Sequence, residues 1–357
     1  MRNDEKRVFA MKTVDLALLG FGNVGKAFAR LLIEKKPELE DDFGFSPRIT
    51  AIATQSHGVC VDPGGVEESA LLSMLDKDMP INLSRLDKSG FRGDTYDFIE
   101  KVPAQILFET TPVNPRSGLP ALDYLRAAAK RGLNLITANK GPVVYGFREL
   151  TELTGQHGKL FRFESAVLDG APIFSLFRGP LAGAKLLGFY GILNSCTNLL
   201  LDRMRDGESL EQAIVYGASI GITETDPSND VDGWDAAIKV AALSNVLMGQ
   251  NLTPMDVQPT GIRGITPEMV RSADAQGKRW KLICKGGWQN DGYHVSVKPE
   301  MVGSDSPLYS VDGTSSYVSF ELDVLPGLGI LESDPSPKTT AFGLLADLID
   351  IVKSGVA

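Results

Sequence analysis

The sequence predicts an α/β fold, in which a Rossmann-type doubly wound parallel sheet is followed by a second domain of mixed α+β structure. Three observations support this prediction. The chain has 357 residues, 43% of them hydrophobic, and single hydrophobic cores stop growing at roughly 250 to 300 residues. A glycine-rich turn joins the first apolar run to the first helical pattern, and the character of the sequence changes near residue 155. We therefore expect one domain over residues 1–155 and a second over residues 156–338.

The first predicted unit is a strand, a tight turn and a helix. The apolar run Val14–Leu19 is followed by Gly-Phe-Gly-Asn-Val-Gly and then by helical periodicity from Lys26. Glycines at this spacing allow backbone amides and a helix N-terminus to approach a pyrophosphate. A glycine-rich turn without a ligand is the alternative, but the position between a strand and a helix favours dinucleotide binding. The predicted cofactor contacts in the turn are Gly20, Gly22, Asn23, Val24 and Gly25.

The remainder of the first domain continues the strand and helix alternation. The polar, acidic stretch Pro37–Pro47 is predicted to be a surface loop. Apolar runs at Ile49–Ala53, Ile106–Phe108 and Leu133–Thr137 are predicted strands, and the last two flank a helical pattern that stops at Gly132. Strand, helix and strand in succession imply a parallel sheet.

The end of the second predicted strand bears on the choice between NAD and NADP. An acidic residue at this point usually binds the ribose 2′-hydroxyl of NAD. The sequence here is Thr54-Gln55-Ser56-His57, which has no acidic residue, and Ser56 and His57 could tolerate a 2′-phosphate. The pattern favours NADP and leaves NAD open.

The second domain is predicted from two apolar strand patterns, residues 160–167 and 185–193, followed by helical patterns at 199–204, 209–220 and 234–249. A last amphipathic helix lies within residues 339–357. Periodicity does not show where this helix docks, and we expect it to pack back on the first domain.

Charge and cysteine content exclude several classes of partner. The chain has 45 acidic and 36 basic side chains, a formal charge of −9, so it repels nucleic acid and anionic membrane surfaces. Cys60, Cys196 and Cys284 are widely spaced and are predicted to be reduced thiols. The N-terminal segment has no apolar stretch of signal-peptide length, and no window approaches 18 uninterrupted apolar residues. We expect a cytoplasmic protein.

The densest polar cluster is residues 222–239. Asp235 and Lys239 stand four apart at the start of a helix, so they share a face. An exposed ion pair worth about 0.3 to 0.5 kcal/mol is the simpler interpretation. The acidic loop before them favours another, in which Glu224 and Asp235 hold the ammonium group of an amino acid while Lys239 exchanges a proton with an alcohol oxygen. The loop also resembles a calcium site, but Lys239 takes the place of the closing glutamate, so we expect no divalent metal.

Several motifs, in order, resemble those of homoserine dehydrogenases: GFGNVG, ANKGP (138–142), FRFE and DGAPI (161–173), GILNSCTN (191–198) and ITETDPSNDVDGWDAAIK (222–239). The resemblance covers the chain from about Val14 to the final helix. It implies an NAD(P)-dependent oxidoreductase that interconverts homoserine and aspartate 4-semialdehyde in threonine and methionine biosynthesis. It also implies a homodimer built through the second domain.

The resemblance assigns roles to individual residues. Glu224 and Asp235 match the carboxylates that bind the substrate's amino group, and Lys239 matches the proton-transfer lysine. Lys140 matches a second lysine near substrate and nicotinamide, and which of the two lysines moves the proton stays open. Thr110 and Thr111 resemble the turn that passes the cofactor.

The resemblance further implies a structural Na⁺ or K⁺ ion at the hinge between the domains. Its ligands would be Glu164 and the backbone of Val167, Asp169 and Ala171. An ordinary strand-to-helix turn is the alternative.

Two segments depart from the family pattern. Ser195-Cys196 stands where members commonly have Gly-Thr, and Glu332–Thr340 replaces a glycine-rich turn that touches the cofactor. These departures leave two alternative functions: an oxidoreductase of the same type that acts on another hydroxy amino acid or semialdehyde, and a non-catalytic dinucleotide-binding paralogue. A substrate panel distinguishes the first, and cofactor binding without turnover the second.

Overall fold

The computed structural model describes residues 11–76, 81–223 and 226–357. Its first sheet has six strands in the order β3-β2-β1-β4-β5-β6, and every neighbouring pair is parallel except β2 and β3. This confirms the predicted parallel sheet, and the structure places β1 near its centre. The strands are β1 (Lys12–Leu19), β2 (Phe45–Thr54), β3 (Gly58–Val61), β4 (Ile106–Glu109), β5 (Asn134–Thr137) and β6 (Phe161–Arg162).

Helices cover the first sheet, and much of its central strands is therefore buried. Residues 16–19 of β1 and all four residues of β4 are buried, as expected for strands covered on both faces. The helices are α1 (Asn23–Glu34), α2 (Lys36–Phe43), α3 (Glu68–Leu75), α4 (Thr95–Lys101), α5 (Ala121–Lys130) and α6 (Lys140–Gln156).

The surface loop predicted over 37–47 is wrong, because α2 occupies most of it. Pro37 lies in the first turn of the helix, where its missing N–H costs nothing. Gly44 ends the helix in the left-handed conformation with φ +72°, and its N–H donates to the Glu40 carbonyl. Only Leu39 of this helix is buried, so the sequence carries almost no helical periodicity to detect.

The second sheet has five strands in the order β11-β10-β7-β8-β9, and all neighbours are antiparallel. Its strands are β7 (Leu186–Ile192), β8 (Lys278–Gln289), β9 (Gly292–Gly303), β10 (Ser316–Leu322) and β11 (Leu328–Glu332). The helices of this region are α7 (Phe174–Arg178), α8 (Ser195–Arg205), α9 (Leu210–Ser219), α10 (Ser228–Val231), α11 (Trp234–Leu247), α12 (Pro254–Val257) and α13 (Pro267–Asp274). The predicted mixed α+β character is confirmed.

The strand predicted over 160–167 is short and belongs to the first sheet. Only Phe161 and Arg162 pair with β5, and a 3₁₀ helix follows over Glu164–Ala166. The N–H of Glu164 donates to Asp347 Oδ2 at 2.7 Å, and its carboxylate accepts from the N–H groups of Phe174 and Ser175. These hydrogen bonds pair the polar groups of Glu164, which a β-ladder would not reach here.

The last helix, α14 (Pro337–Lys353), begins with a capping box formed by Ser336 and Thr339. It packs on α1 and on the 164–166 turn. Its apolar side, including Leu344 and Leu348, is fully buried in the core of the first sheet. Within the described ranges, no helix is long and apolar enough to cross a membrane.

Candidate active site

The glycine-rich turn between β1 and α1 has no room for side chains at two of its glycines. Gly20 has φ +102°, and a Cβ there would lie 2.6 Å from the carbonyl carbon of Thr110. A Cβ on Gly25 would lie 2.7 Å from the Gly20 carbonyl oxygen. The Thr110 hydroxyl donates to that same oxygen at 3.2 Å. Thr110 therefore packs directly on the turn.

The middle glycine of the turn faces open space. A Cβ on Gly22 would meet no atom of the described residues within 4 Å, and Gly22 caps α1 without any side-chain hydrogen bond. Gly22 and Asn23 are exposed and Val24 is half-buried. The N–H groups of the first turn of α1 are thus free of a side-chain cap, which is what a pyrophosphate requires. These residues fit a dinucleotide.

A buried carboxylate organises the two segments that follow β4 and β5. Glu109 accepts from the N–H and hydroxyl of Thr111 at 2.7 and 2.5 Å and from the hydroxyl of Thr137 at 2.6 Å. Burial raises the pKa of Glu109, although these hydrogen bonds act against the shift. Asn139 then donates to the Thr111 carbonyl and caps α6. Sequence reasoning missed Glu109, whose only signal was a glutamate ending an apolar strand.

The structure brings three predicted residues together. Lys140 is the first residue of α6, and its Nζ lies 3.3 Å from Asp235 Oδ1. Lys239 Nζ lies 3.0 Å from Asp235 Oδ2, within α11. All three side chains are 15 to 22% exposed, so the pair of Asp235 and Lys239 is not the freely solvated pair of the simpler interpretation. We call Lys140, Asp235 and Lys239 the lysine cluster.

Two residues that sequence reasoning did not assign hold the lysine cluster in place. The Nδ2 of Asn194 donates to Asp235 Oδ2 at 2.9 Å and to Asp230 Oδ1 at 2.6 Å. Its Oδ1 accepts from the N–H of Thr197 and so caps α8. Lys239 Nζ also donates to the Leu193 carbonyl at 2.6 Å. An asparagine immediately before a helix is a capping signal, but the signal does not show that the amide also binds two carboxylates.

The charges in this cluster shift one another's pKa values. Burial would raise the pKa of Asp235, but Lys140 and Lys239 outweigh burial and hold it below its ordinary value. Burial and the charge of Asp235 raise the pKa of Asp230 to about 6. Burial would lower the pKa of Lys239, but Asp235, Asp169 and Asp230 outweigh it, so this pKa lies above its ordinary value.

Two further carboxylates, those of Asp169 and Glu332, lie near enough to Lys239 for their charges to interact with it. Asp169, at φ +44°, accepts from the Thr339 hydroxyl at 2.8 Å. Glu332 ends β11 and is half-buried. Burial and the charge of Asp169 raise the pKa of Glu332 to about 7, while Lys239 acts in the opposite direction. The segment in which side chains replace the family's glycines thus places a carboxylate near Lys239.

Glu224 lies outside the described residues, so its predicted contact with substrate stays a prediction.

Glu164 is buried. Its two carboxylate oxygens accept from the N–H groups of Phe174 and Ser175, and Arg178 Nη2 lies 3.3 Å from one of them. Of the carbonyls predicted to bind the same ion, that of Ala171 already accepts from Ile173. Cys196 is buried and unpaired, and burial together with Asp230 and Asp235 raises the pKa of its thiol.

Known proteins resemble this chain over nearly its whole length. A family model described as homoserine dehydrogenase matches residues 172–349. A homoserine dehydrogenase of Methanocaldococcus jannaschii is 36% identical, covering 96% of this chain and 99% of the relative. An NAD(+)-dependent homoserine dehydrogenase of Pseudomonas canavaninivorans is 32% identical, over 96% and 97% of the two chains. A hyperthermophilic archaeal homoserine dehydrogenase solved in complex with NADPH superposes with a TM-score of 0.78 at 26% identity, covering 96% of this chain and 98% of that one.

Proposed function

The chain belongs to the homoserine dehydrogenase family, and on that premise we propose that Lys140 and Lys239, held on Asp235, exchange the hydroxyl proton of the substrate. The chain is an NAD(P)-dependent oxidoreductase that acts on homoserine. The observation that supports the proposal is the position of Asp235, which lies 3.3 Å from Lys140 at the start of α6 and 3.0 Å from Lys239 on its own helix, α11.

Oxidation of an alcohol removes a hydride from the carbon and a proton from the oxygen. A bound nicotinamide supplies the hydride acceptor, so this chain must supply the proton acceptor. A neutral lysine can take that proton, and the resulting ammonium is stabilised by Asp235. In the reverse direction the same ammonium donates its proton to the oxygen of the aldehyde. Because Asp235, Asp169 and Asp230 hold the pKa of Lys239 above its ordinary value, homoserine oxidation should speed up as pH rises.

We propose that Asp235 and Glu224 bind the substrate's ammonium group. A carboxylate has about four lone-pair positions, so Asp235 can accept from a substrate ammonium while it contacts both lysines. Asp230 extends the negative charge beside it. Glu224→Gln should raise the Michaelis constant for homoserine more than that for the cofactor. Unchanged homoserine kinetics in this variant would reject the assignment of Glu224.

We propose that the chain prefers NADP to NAD. No acidic residue ends β2, and the N–H of Leu83 donates to the His57 carbonyl at 2.9 Å, which places the 3₁₀ helix Leu83–Arg85 beside that end. Arg85 is exposed there and would favour a 2′-phosphate. Steady-state assays with homoserine and each cofactor should give the larger kcat/KM with NADP⁺. A larger value with NAD⁺ would contradict the preference without affecting the reaction.

The predicted Na⁺ or K⁺ ion at Glu164 remains a proposal. Backbone donors and Arg178 now occupy the Glu164 carboxylate, so ion binding requires these contacts to rearrange. Titration with NaCl or KCl at constant ionic strength should raise the thermal midpoint if the ion binds. Activity should survive exhaustive chelation of divalent metals, because no divalent ion takes part in the proposed chemistry.

We propose that two copies of the chain form a homodimer through the second sheet. Exposed apolar side chains lie on its strands at Leu187, Trp288, Met301 and Leu331, and patches of this kind commonly mark protein interfaces. Size-exclusion chromatography with light-scattering detection should give twice the mass of the chain. A monomer at micromolar concentration would contradict the proposal.

A further inference from the structure

The two lysines of the cluster are carried by helices that run side by side. Lys140 begins α6, and Asp235 and Lys239 lie at the start of α11. Two contacts join the helices, Lys140 to Asp235 and Val144 to Asn245, and Arg148 donates to the carbonyl of Gly249 just after α11 ends. The distance between the lysines therefore depends on how α6 lies against α11.

The middle contact is made by a buried amide. Asn245 is 4% exposed, and its Nδ2 donates to the Val144 carbonyl at 3.1 Å and to the Leu252 carbonyl at 2.8 Å. Its Oδ1 accepts from the Leu252 N–H at 2.7 Å. The Asn245 amide therefore uses both of its donors and its acceptor. Breaking these bonds would leave buried polar groups unpaired, so they fix the orientation of the segments that they join.

Val144 lies one helical turn after Lys140, so the Asn245 bond acts close to the lysine. We propose that Asn245 is a positioning residue that sets the separation between Lys140 and the Asp235–Lys239 pair. This inference rests on the proposed roles of the two lysines. Loss of the bond would let α6 shift against α11, and displacement of a catalytic group by about 1 Å can cost on the order of a hundredfold in rate.

Asn245→Asp tests the proposal, because it keeps the shape and the acceptor but replaces two N–H donors by at most one O–H donor, that of the protonated acid. Its matched control is Asn134→Asp. Asn134 is also fully buried, donates to a backbone carbonyl (Val356, 3.1 Å) and accepts from a backbone N–H (Leu160, 3.0 Å), on the side of the first sheet where the C-terminus lies. Both variants should lower the thermal midpoint. Only Asn245→Asp should lower kcat, by about tenfold or more, and change the pH profile of homoserine oxidation.

A double-mutant cycle with Lys140→Met separates positioning from general damage. If Asn245 acts through Lys140, Asn245→Asp should lower kcat less than twofold once Lys140 is methionine. An equal loss in both backgrounds, or a kcat and pH profile like those of Asn134→Asp, would overturn the inference. Asn245→Ser is carried through the same cycle in case the aspartate variant does not fold. Near-normal turnover of Lys140→Met alone would instead count against the proposed function.

Discussion

The cofactor turn and the lysine cluster are built in opposite ways. The turn is a contiguous segment, Gly20–Gly25, that offers backbone N–H groups and tolerates no side chain at two positions. The lysine cluster gathers side chains from Lys140 to Lys239, roughly a hundred residues of chain, and depends on their charges. The geometry of the turn is thus a local property of the sequence, whereas that of the lysine cluster depends on how two helices pack.

The sharpest distinction between the two regions should come from removing a lysine. Lys239→Met and Lys140→Met should each lower kcat for homoserine by roughly two to four orders of magnitude, the usual worth of a positioned acid or base. The cofactor dissociation constant, measured by fluorescence titration, should stay within about threefold. Lys101→Met is the control, because Asp97 and Lys101 form the same i,i+4 pair on an exposed helix face. Near-normal turnover in both cluster variants would show that neither lysine is the acid or base.

Alanine at different glycines should separate cofactor binding from folding within the turn itself. Gly22→Ala meets no protein atom within 4 Å, so it should keep the thermal midpoint and weaken cofactor binding by about tenfold, because its methyl group occupies the pyrophosphate's approach. Gly25→Ala brings a methyl within 2.7 Å of a backbone oxygen and should cost about 1 to 3 kcal/mol of stability. Gly155→Ala, in open space on α6, is the control. Equal cofactor affinity in Gly22→Ala and the natural chain would contradict the pyrophosphate assignment.

The smallest effect on turnover is expected from the contact between α14 and the 164–166 turn. Burial and the charge of Glu164 raise the pKa of Asp347 to about 8, although Arg178 acts against the shift. Between about pH 4 and pH 8 the folded chain keeps a proton that the unfolded chain releases, so the free energy of unfolding falls as pH rises. Asp347→Asn removes this dependence and should leave kcat within about twofold.

Urea unfolding at pH 5 and pH 8.5 checks the Asp347 prediction. The variant should gain stability relative to the natural chain at the higher pH, and Asp350→Asn, at the more exposed ion pair with Arg162, should not. A difference between Asp347→Asn and the natural chain that does not change with pH would contradict it.

The turn could be predicted from sequence more fully than the lysine cluster, because its contacts are local. The glycine spacing and the flanking apolar runs predict β1, the turn and α1 because every contact is local. The spacing of Asp235 and Lys239 also predicts their ion pair, since four residues make one helical turn. The contact of Lys140 with Asp235 could not be predicted, because no periodicity relates α6 to α11; the family resemblance implies only that Lys140 lies near substrate and nicotinamide.

The residues that sequence reasoning missed are those whose role depends on tertiary contacts. Asn194 carries an ordinary capping signal, yet its amide binds two carboxylates that follow it by 36 and 41 residues. In the sequence, Glu332 is a charged residue of the kind common on surfaces, in a segment that departs from the family pattern. The fold places it near Asp169 and Lys239. The helix α2 was also missed. It buries only one side chain, so its sequence has no apolar periodicity that would indicate a helix.

The central claim is that Asp235 holds both lysines and sets the pH at which the proton moves. The most direct test is the pH dependence of kcat for homoserine oxidation in the natural chain and in Asp235→Asn. Asparagine removes the charge that most strongly raises the pKa of Lys239 but keeps an acceptor for the lysines, so the rising limb of the profile should move to lower pH even if the maximum rate falls. A rising limb at the same pH in both proteins would contradict the account, since Asp235 would then not control the proton-transfer lysine.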